Sequence, residues 1–338
     1  MIEQLVIDGF KSIRHELMVL KPLNVLSGLN SSGKSSVIQA LRILGRVAQR
    51  REEIFPENCG DEDRLRNVHE QRMEMAASYG DNGEKWLRYS ERGTLIPDFP
   101  KIVYVSADRI GPKTIYPSKK NGGLDEKGTN VLRIIEECGT NNVKLPETLL
   151  NDYCEGEAFK FVVQGWLKEI SPGVRFNFDK VAGQEAHTAT YNDFWPTNVG
   201  YGLSYTLPII VAILLGVTEK NSIVLLENPE AHIHAKGQTA LADLMCRAVE
   251  AGAQIVVETH SDHVFDGVRI YAKEHEGFFD KVRLSWFSLN KEETTEIAYP
   301  VPSPMEGWTT GQRICSASLW TMQRNSFSEF HLEIVNVS

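Results

Sequence analysis

The chain opens on short runs in which apolar and polar positions alternate. Leu5/Ile7, Leu17/Val19 and Leu23/Val25 predict three strands within residues 1–26, with Phe10-Lys11-Ser12-Ile13 between the first two. Val37, Leu41, Leu44 and Val47 then recur at helical spacing, predicting a helix that ends near Arg51. Met73/Met75/Ala77 and Trp86–Tyr89 predict an antiparallel pair around a turn at Gly80-Asp81-Asn82-Gly83, and Ile102–Val105 a compact strand. Residues 113–130 are polar and rich in Gly and Lys, which reads as a mobile loop. Phe159, Val162/Val163, Trp166, Leu167 and Ile170 mark an amphipathic helix stopped at Ser171-Pro172-Gly173. Phe176/Phe178 alternate, and a polar segment runs to Asn198. From Ser204 onward a helix, a strand (223–226), a helix and a strand (255–257) follow, the alternation that builds a parallel sheet.

Composition narrows the classes. At 338 residues, with 42% hydrophobic and 24% charged positions, the chain can bury a sizeable core. The longest apolar stretch, Leu207 to Val217, contains Pro208 and Gly216 and falls short of the ~20 residues of a membrane span. The first strand begins at the N-terminus with no leader pattern before it, so a cytoplasmic protein without membrane contact is expected. Five scattered cysteines without a C-x-x-C pair predict reduced thiols rather than a disulfide framework or a zinc site. The net charge of −9, from 36 Lys+Arg against 45 Asp+Glu, leaves nucleic acid a possible partner that charge does not indicate. Arg50-Arg51 and Lys119-Lys120 are the densest basic pairs, and a solvated face explains them as well.

The first chemistry-bearing stretch lies between the third strand and the first helix. Gly28-Leu29-Asn30-Ser31-Ser32-Gly33-Lys34-Ser35-Ser36 matches G-x-x-x-x-G-K-[ST] in the strand–loop–helix context the motif requires. Such a loop aims backbone N–H groups and a helix N-terminus at polyphosphate. Asn30 to Ser36 are therefore the expected ATP contacts, with Lys34 reaching the β- and γ-phosphates and the Ser35 hydroxyl taking a Mg²⁺ position.

Three further polar segments follow. Ile223-Val224-Leu225-Leu226-Glu227 is an aliphatic strand ending in a carboxylate, the form of a Walker B strand, so Glu227 is a second metal candidate. Ile255-Val256-Val257-Glu258-Thr259-His260-Ser261 is another such strand. Upstream, Asn198-Val199-Gly200-Tyr201-Gly202-Leu203-Ser204-Tyr205 opens a helix whose N-terminus can hold a second anion, through Gly200, Gly202 and Ser204. His232, His234, Glu258, His260 and His263 also admit a metal-cluster reading, which the motif order makes the weaker one.

In this order the motifs resemble the ATP-binding cassette plan. Asn198–Ser204, Glu227-Asn228-Pro229-Glu230-Ala231-His232-Ile233-His234, Glu258–His263 and Tyr104-Val105-Ser106-Ala107-Asp108-Arg109-Ile110-Gly111-Pro112 resemble the OLD-like/RecF-like AAA ATPases of prokaryotic phage-defence and toxin–antitoxin operons. The resemblance covers about residues 1–304. It implies an α/β ABC-type P-loop NTPase head: a mixed or parallel central sheet, N-terminal antiparallel strands and a smaller helical lobe, with the inserted strands and lobe at 57–197. It also implies head-to-tail pairing, with ATP between one copy's Gly28–Ser36 loop and the other's Val199–Ser204 loop. His260 matches the family's γ-phosphate-sensing histidine, and Ala231–His234 its interface-crossing loop.

Two departures matter. Many ATPases of this class carry Asp then Glu at the Walker B end, the Glu polarising the attacking water; here the pair is Glu227-Asn228. Asn228 accepts no proton, and general-base assistance is worth about 10²–10⁴-fold. Glu230 is the substitute, His260 can still orient water, and a slow, switch-like ATPase is expected. Residues 305–338 diverge from the family's Trp-Pro-Gly-Phe-Phe-rich ending, reading Trp308-Thr309-Thr310-Gly311, and are assigned no role. No nuclease motif is visible. The leading expectation is a nucleotide-gated homodimer or higher homo-oligomer that controls a separately encoded effector, a nuclease or toxin. The alternatives are a RecF/SMC-like ATPase that clamps DNA, weakened by the acidic balance and the absence of a heptad run between 52 and 197, and an interaction protein whose ATP is structural.

Overall fold

Alternation at the start of the chain produces a hairpin, β1 (Ile2–Phe10) and β2 (Ile13–Val19), in a computed structural model that describes residues 1–300 except 57–58, 92 and 119–121. The expectations for residues 301–338, including Cys315, and for Lys119-Lys120 lie outside the described residues. The chain continues through β3 (Leu23–Gly28), α1 (Lys34–Ala48), a single turn α2 (Glu62–Leu65), β4 (Glu74–Tyr79), β5 (Lys85–Arg88), β6 (Lys101–Val105) and β7 (Tyr116–Pro117). Then come α3 (Val131–Thr140), α4 (Phe159–Ile170), β8 (Phe176–Lys180), β9 (Ala186–Tyr191) and α5 (Tyr201–Thr218). The last elements are β10 (Ser222–Glu227), α6 (Ala235–Glu250), β11 (Ile255–Glu258), α7 (Asp262–Glu274), β12 (Val282–Leu289) and β13 (Thr295–Ala298).

These strands form an antiparallel sheet β2-β1-β4-β5, a central sheet β13-β12-β3-β11-β10-β6 and a small antiparallel sheet β7-β9-β8. The central sheet is parallel except for β13 against β12. Its strands are apolar at successive positions because both faces are covered. Ile223 and Leu225 of β10 face the layer holding α1 and the N-terminal sheet. Val224 and Leu226 face the opposite layer, with α3 to α7. The fold is thus the expected α/β head with a mixed central sheet, N-terminal antiparallel strands and a helical lobe.

Several details differ from expectation. On β2, Met18 turns inward while Leu17 and Val19 are 49% and 42% exposed, so this edge strand carries its apolar pair on the outer face. The segment expected to be a mobile loop is pinned in its described second half. Ser106 N donates to Glu126 O and Ile110 N to Lys127 O, each at 2.8 Å, Arg42 of α1 pairs with Glu126, and Asp125 accepts from Thr129 N and Asn130 N at 3.0 Å ahead of α3. The polar segment before Asn198 contains β9, whose Ala-His-Thr-Ala-Thr-Tyr sequence has little apolar contrast. Helix α5 has the length and apolar character of a membrane span, yet 67% of it is buried inside the protein, as in a core helix. Cys138 and Cys246 are buried thiols, Cys59 and Cys154 half-buried ones, and all four are free.

The lobe is anchored by Trp166 on α4, fully buried, whose indole N–H donates to Leu149 O at 2.8 Å. Trp166→Ala removes that packing and leaves a buried carbonyl unpaired. A loss of about 3–5 kcal/mol in urea unfolding is expected.

Candidate functional site

The phosphate loop is shaped by what packs behind it. Gly28 ends β3 at φ +133°, and a Cβ there would come within 2.1 Å of Phe287 O, so only glycine fits. Asn30 and Ser31 form the exposed crest, and Ser32 Oγ closes the turn by donating to Leu29 O at 2.6 Å. Gly33 caps α1, Ser36 N returns to Gly33 O at 3.0 Å, and neither a side-chain cap nor a first-turn acid occupies the helix N-terminus. Those N–H groups suit an anion. Lys34 folds over the loop, its Nζ donating to Gly28 O (3.1 Å) and Leu29 O (2.6 Å). Burial pulls its pKa down, against the pull of Glu258.

Opposite the loop, two adjacent parallel strands end in acids, with Glu227 of β10 in register with Glu258 of β11. Ser35 Oγ donates to Glu258 Oε1 at 3.0 Å, and Glu258 Oε2 is buried without a hydrogen-bond partner. Burial pushes the Glu258 carboxyl above its usual range; the Ser35 hydrogen bond opposes this, and the Glu227 and Glu230 carboxylates add to it. A hydroxyl beside two crowded carboxylates, one with an unpaired buried oxygen, is an all-oxygen donor set that suits a hard divalent cation such as Mg²⁺. Ser35 and Glu227 are the ligands the sequence indicates; Glu258, which the sequence offered only within the weaker histidine-cluster reading, lies against Ser35 at the strand end in register with Glu227.

Beyond the acids the chain turns sharply. Asn228 has φ +44°, in the left-handed region, which Asn tolerates better than Glu does. Its backbone is fully engaged: its N donates to Glu258 O at 2.9 Å, and its O accepts from Arg109 Nη2 at 2.8 Å. Arg109 Nη1 donates to Glu227 O (2.8 Å) and Ser106 O (3.0 Å). This guanidinium is 2% exposed; burial lowers its pKa to about 10, while Glu230, Tyr205 and Glu227 favour its charge. Glu230 Oε1 accepts from His260 N at 2.8 Å, and its Oε2 is buried without a partner. Desolvation and then the nearby Lys34 ammonium push the His260 imidazole down, against the pull of Glu230. Lys34, Ser35, Glu227, Asn228, Glu230, Glu258 and His260 therefore surround one locus at the C-terminal ends of β3, β10 and β11.

The third segment sits against the turn after β10. Gly200 caps α5 with an uncapped, acid-free N-terminus, and Gly202 is forced because a Cβ would lie 2.5 Å from His232 O. Gly200 is exposed and Ser204 is 4% exposed, so the helix start, rather than the Ser204 hydroxyl, is open on this chain. His232 packs edge-on against Tyr205, and His234 caps α6, accepting from Lys236 N at 3.4 Å. Among the described residues no three His, Cys, Asp or Glu side chains converge in a metal-holding cluster.

Comparisons with known proteins bear on the fold that carries this site. Residues 167–266 match the family described as "AAA domain, putative AbiEii toxin, Type IV TA system", and residues 1–122 match "AAA ATPase domain". No curated protein matches the chain. Among solved structures, an Smc head bound to the C-winged helix domain of ScpA is 13% identical, covers 89% of this chain and 97% of its own, and has a TM-score of 0.52. The Smc head with an extended coiled coil bound to the C-terminal domain of ScpA, derived from Pyrococcus furiosus, is 11% identical, covers 96% and 99%, and has a TM-score of 0.50. At these identities the likeness speaks for the fold. The chain therefore has the fold of an Smc-type ATPase head, with AAA-type family matches over its first 122 residues and over residues 167–266.

Arg109→Met keeps much of the side chain's bulk but takes the guanidinium donor from the carbonyls of Ser106, Glu227 and Asn228, of which Asn228 O keeps the Ala231 N–H at 3.1 Å. A stability loss of about 2–4 kcal/mol is expected in chemical denaturation, together with a fall in ATPase kcat.

Proposed function

We propose that the chain is a slow ATP-hydrolysing switch that pairs head to tail around nucleotide and controls a separately encoded effector, a nuclease or toxin in anti-phage defence. The observation that carries this is the gathering of Lys34, Ser35, Glu227, Glu258, Glu230 and His260 around one phosphate loop, while the exposed α5 start at Gly200 presents a second anion-compatible helix end. In this reading the loop N–H groups and Lys34 hold the polyphosphate. Mg²⁺, held by Ser35, Glu227 and Glu258, would neutralise charge on the phosphate oxygens. Glu230 accepts the proton of the attacking water on Oε2, because Oε1 is already committed to the His260 N–H. His260 faces the γ-phosphate. The α5 start of a second copy completes the site, so ATP joins the copies and hydrolysis parts them.

Direct DNA clamping is the second reading, and the SMC-head fold favours it. The net charge of −9 weighs against it, since neutralising phosphates needs clustered Lys/Arg. Salt-dependent DNA binding by the purified protein would turn the choice toward it.

The test is solution mass with and without Mg-ATP for wild type and Lys34→Ala, with phosphate release followed in the same samples. The switch predicts a mass increase in wild type, lost in Lys34→Ala, and turnover well below the ordinary ~10 s⁻¹. Constant mass with fast release would refute it.

A further inference from the structure

Both ends of the phosphate loop rest on one C-terminal ribbon. β12 runs parallel to β3 with Phe287 opposite Gly28, and Leu29 N donates to Phe287 O at 3.2 Å. The ribbon then turns at Asn290, whose Oδ1 accepts from Glu292 N at 2.9 Å and Thr294 N at 3.1 Å. It returns with Thr295, the first residue of β13. Thr295 N donates to Ser12 O at 2.8 Å, tying the ribbon to the β1–β2 turn. Its Oγ1 lies 2.7 Å from Ser12 Oγ and 3.0 Å from Ser32 O.

The hydrogen-bond directions follow from the groups present. A carbonyl only accepts, so the Thr295 hydroxyl proton goes to Ser32 O, and the Ser12 hydroxyl donates to Thr295 in turn. The Ser32–Gly33 peptide is planar and trans, so its C=O and N–H point in opposite directions. Holding Ser32 O against Thr295 therefore turns the Gly33 N–H away from the ribbon, into the hollow of the loop where phosphate N–H donors belong. The contact is close: Ser32 is fully buried, and a Cβ on Gly33 would lie 2.5 Å from Thr295 Oγ1.

We propose that Thr295 is a positioning residue for nucleotide binding, its hydroxyl oriented by Ser12 and fixing the Ser32–Gly33 peptide plane so that the loop is preset for polyphosphate. It acts through the loop and touches no nucleotide. The proposal rests on the ATP-binding reading above and adds to it a residue more than 250 positions away in sequence from the loop it serves. Loosening the peptide makes the free loop pay an ordering cost on binding, which lowers affinity without touching the rest of the fold.

The test is the Mg-ATP dissociation constant, measured by calorimetry alongside the melting temperature of the same nucleotide-free samples. Thr295→Val keeps the shape against Gly33 and removes the hydroxyl; roughly five- to tenfold weaker binding is expected, with a melting temperature lowered only by the few degrees that an unpaired Ser32 carbonyl costs. Thr295→Ser restores the hydroxyl and should bind within about twofold of wild type. Ser12→Ala leaves the Thr295–Ser32 bond without its orienting donor and should weaken binding about two- to threefold. Thr295→Val binding like wild type, or Thr295→Ser binding as weakly as Thr295→Val, overturns the proposal. If Thr295→Val does not fold, wild-type affinity in Ser12→Ala overturns it. Absence of Mg-ATP binding by wild type removes the ATP reading and the relay together, whereas normal wild-type binding with an indifferent Thr295→Val removes the relay alone.

Discussion

The Arg109 guanidinium lies inside the protein, its Nη1 and Nη2 donating to three carbonyl oxygens, those of Ser106, Glu227 and Asn228, while its Nε–H is buried without a partner. Taking a charge out of water costs several kcal/mol unless it is paired and hydrogen-bonded. Here the carbonyl dipoles, with the Glu230 and Glu227 carboxylates, supply that compensation. The consequence is geometric. The end of β10 and the left-handed turn at Asn228 are held against the segment after β6, and Arg42 of α1 reaches the same region by pairing with Glu126. The phosphate-loop helix and the acid-bearing strand thereby share a support outside the sheet. Without it, the positions of Glu227 and Glu230 relative to Lys34 would rest on sheet pairing alone.

The Arg109 arrangement also gives a physical account of Asn228. A residue at φ +44° pays less as Asn than as Glu, and the neighbouring structure uses its backbone N–H and C=O rather than a carboxylate. Glu230 then stands two residues on, with one oxygen held by the His260 N–H and the other unpartnered in a buried setting. That oxygen and the Asn228 side-chain oxygen are both buried without a partner, which is costly in a resting fold, but of the two only the carboxylate can take up a proton from water.

Much of this was legible in the sequence, for identifiable reasons. The phosphate loop, the β10 and β11 strands and the α4 helix carry strong local periodicity or fixed spacing, and they lie where the pattern places them. β9 and α3 were not legible, since small and polar residues blur the period of the first and the second follows a Gly/Lys-rich segment. The phase of β2 misleads, because Leu17 and Val19 are the exposed pair and Met18 alone turns inward. At the site, Lys34, Ser35, Glu227 and His260 could be named from motifs. The roles of Glu258, Arg109 and Thr295 could not, because each depends on pairing between segments distant in the chain: Ser35 with Glu258, residue 109 with 227–228, and residue 295 with 32. Spacing within one motif carries no record of such contacts.

The most direct measurement of the central claim, that the hydrolytic carboxylate has moved from position 228 to position 230, is single-turnover ATP hydrolysis by Glu230→Gln and Asn228→Gly with enzyme in excess. Glycine at 228 keeps the left-handed backbone while deleting the side chain, so its effect isolates the amide. The account predicts a loss of about 10²-fold or more for Glu230→Gln and a change within a few-fold for Asn228→Gly. An unimpaired Glu230→Gln, with the loss falling on Asn228→Gly instead, would contradict it.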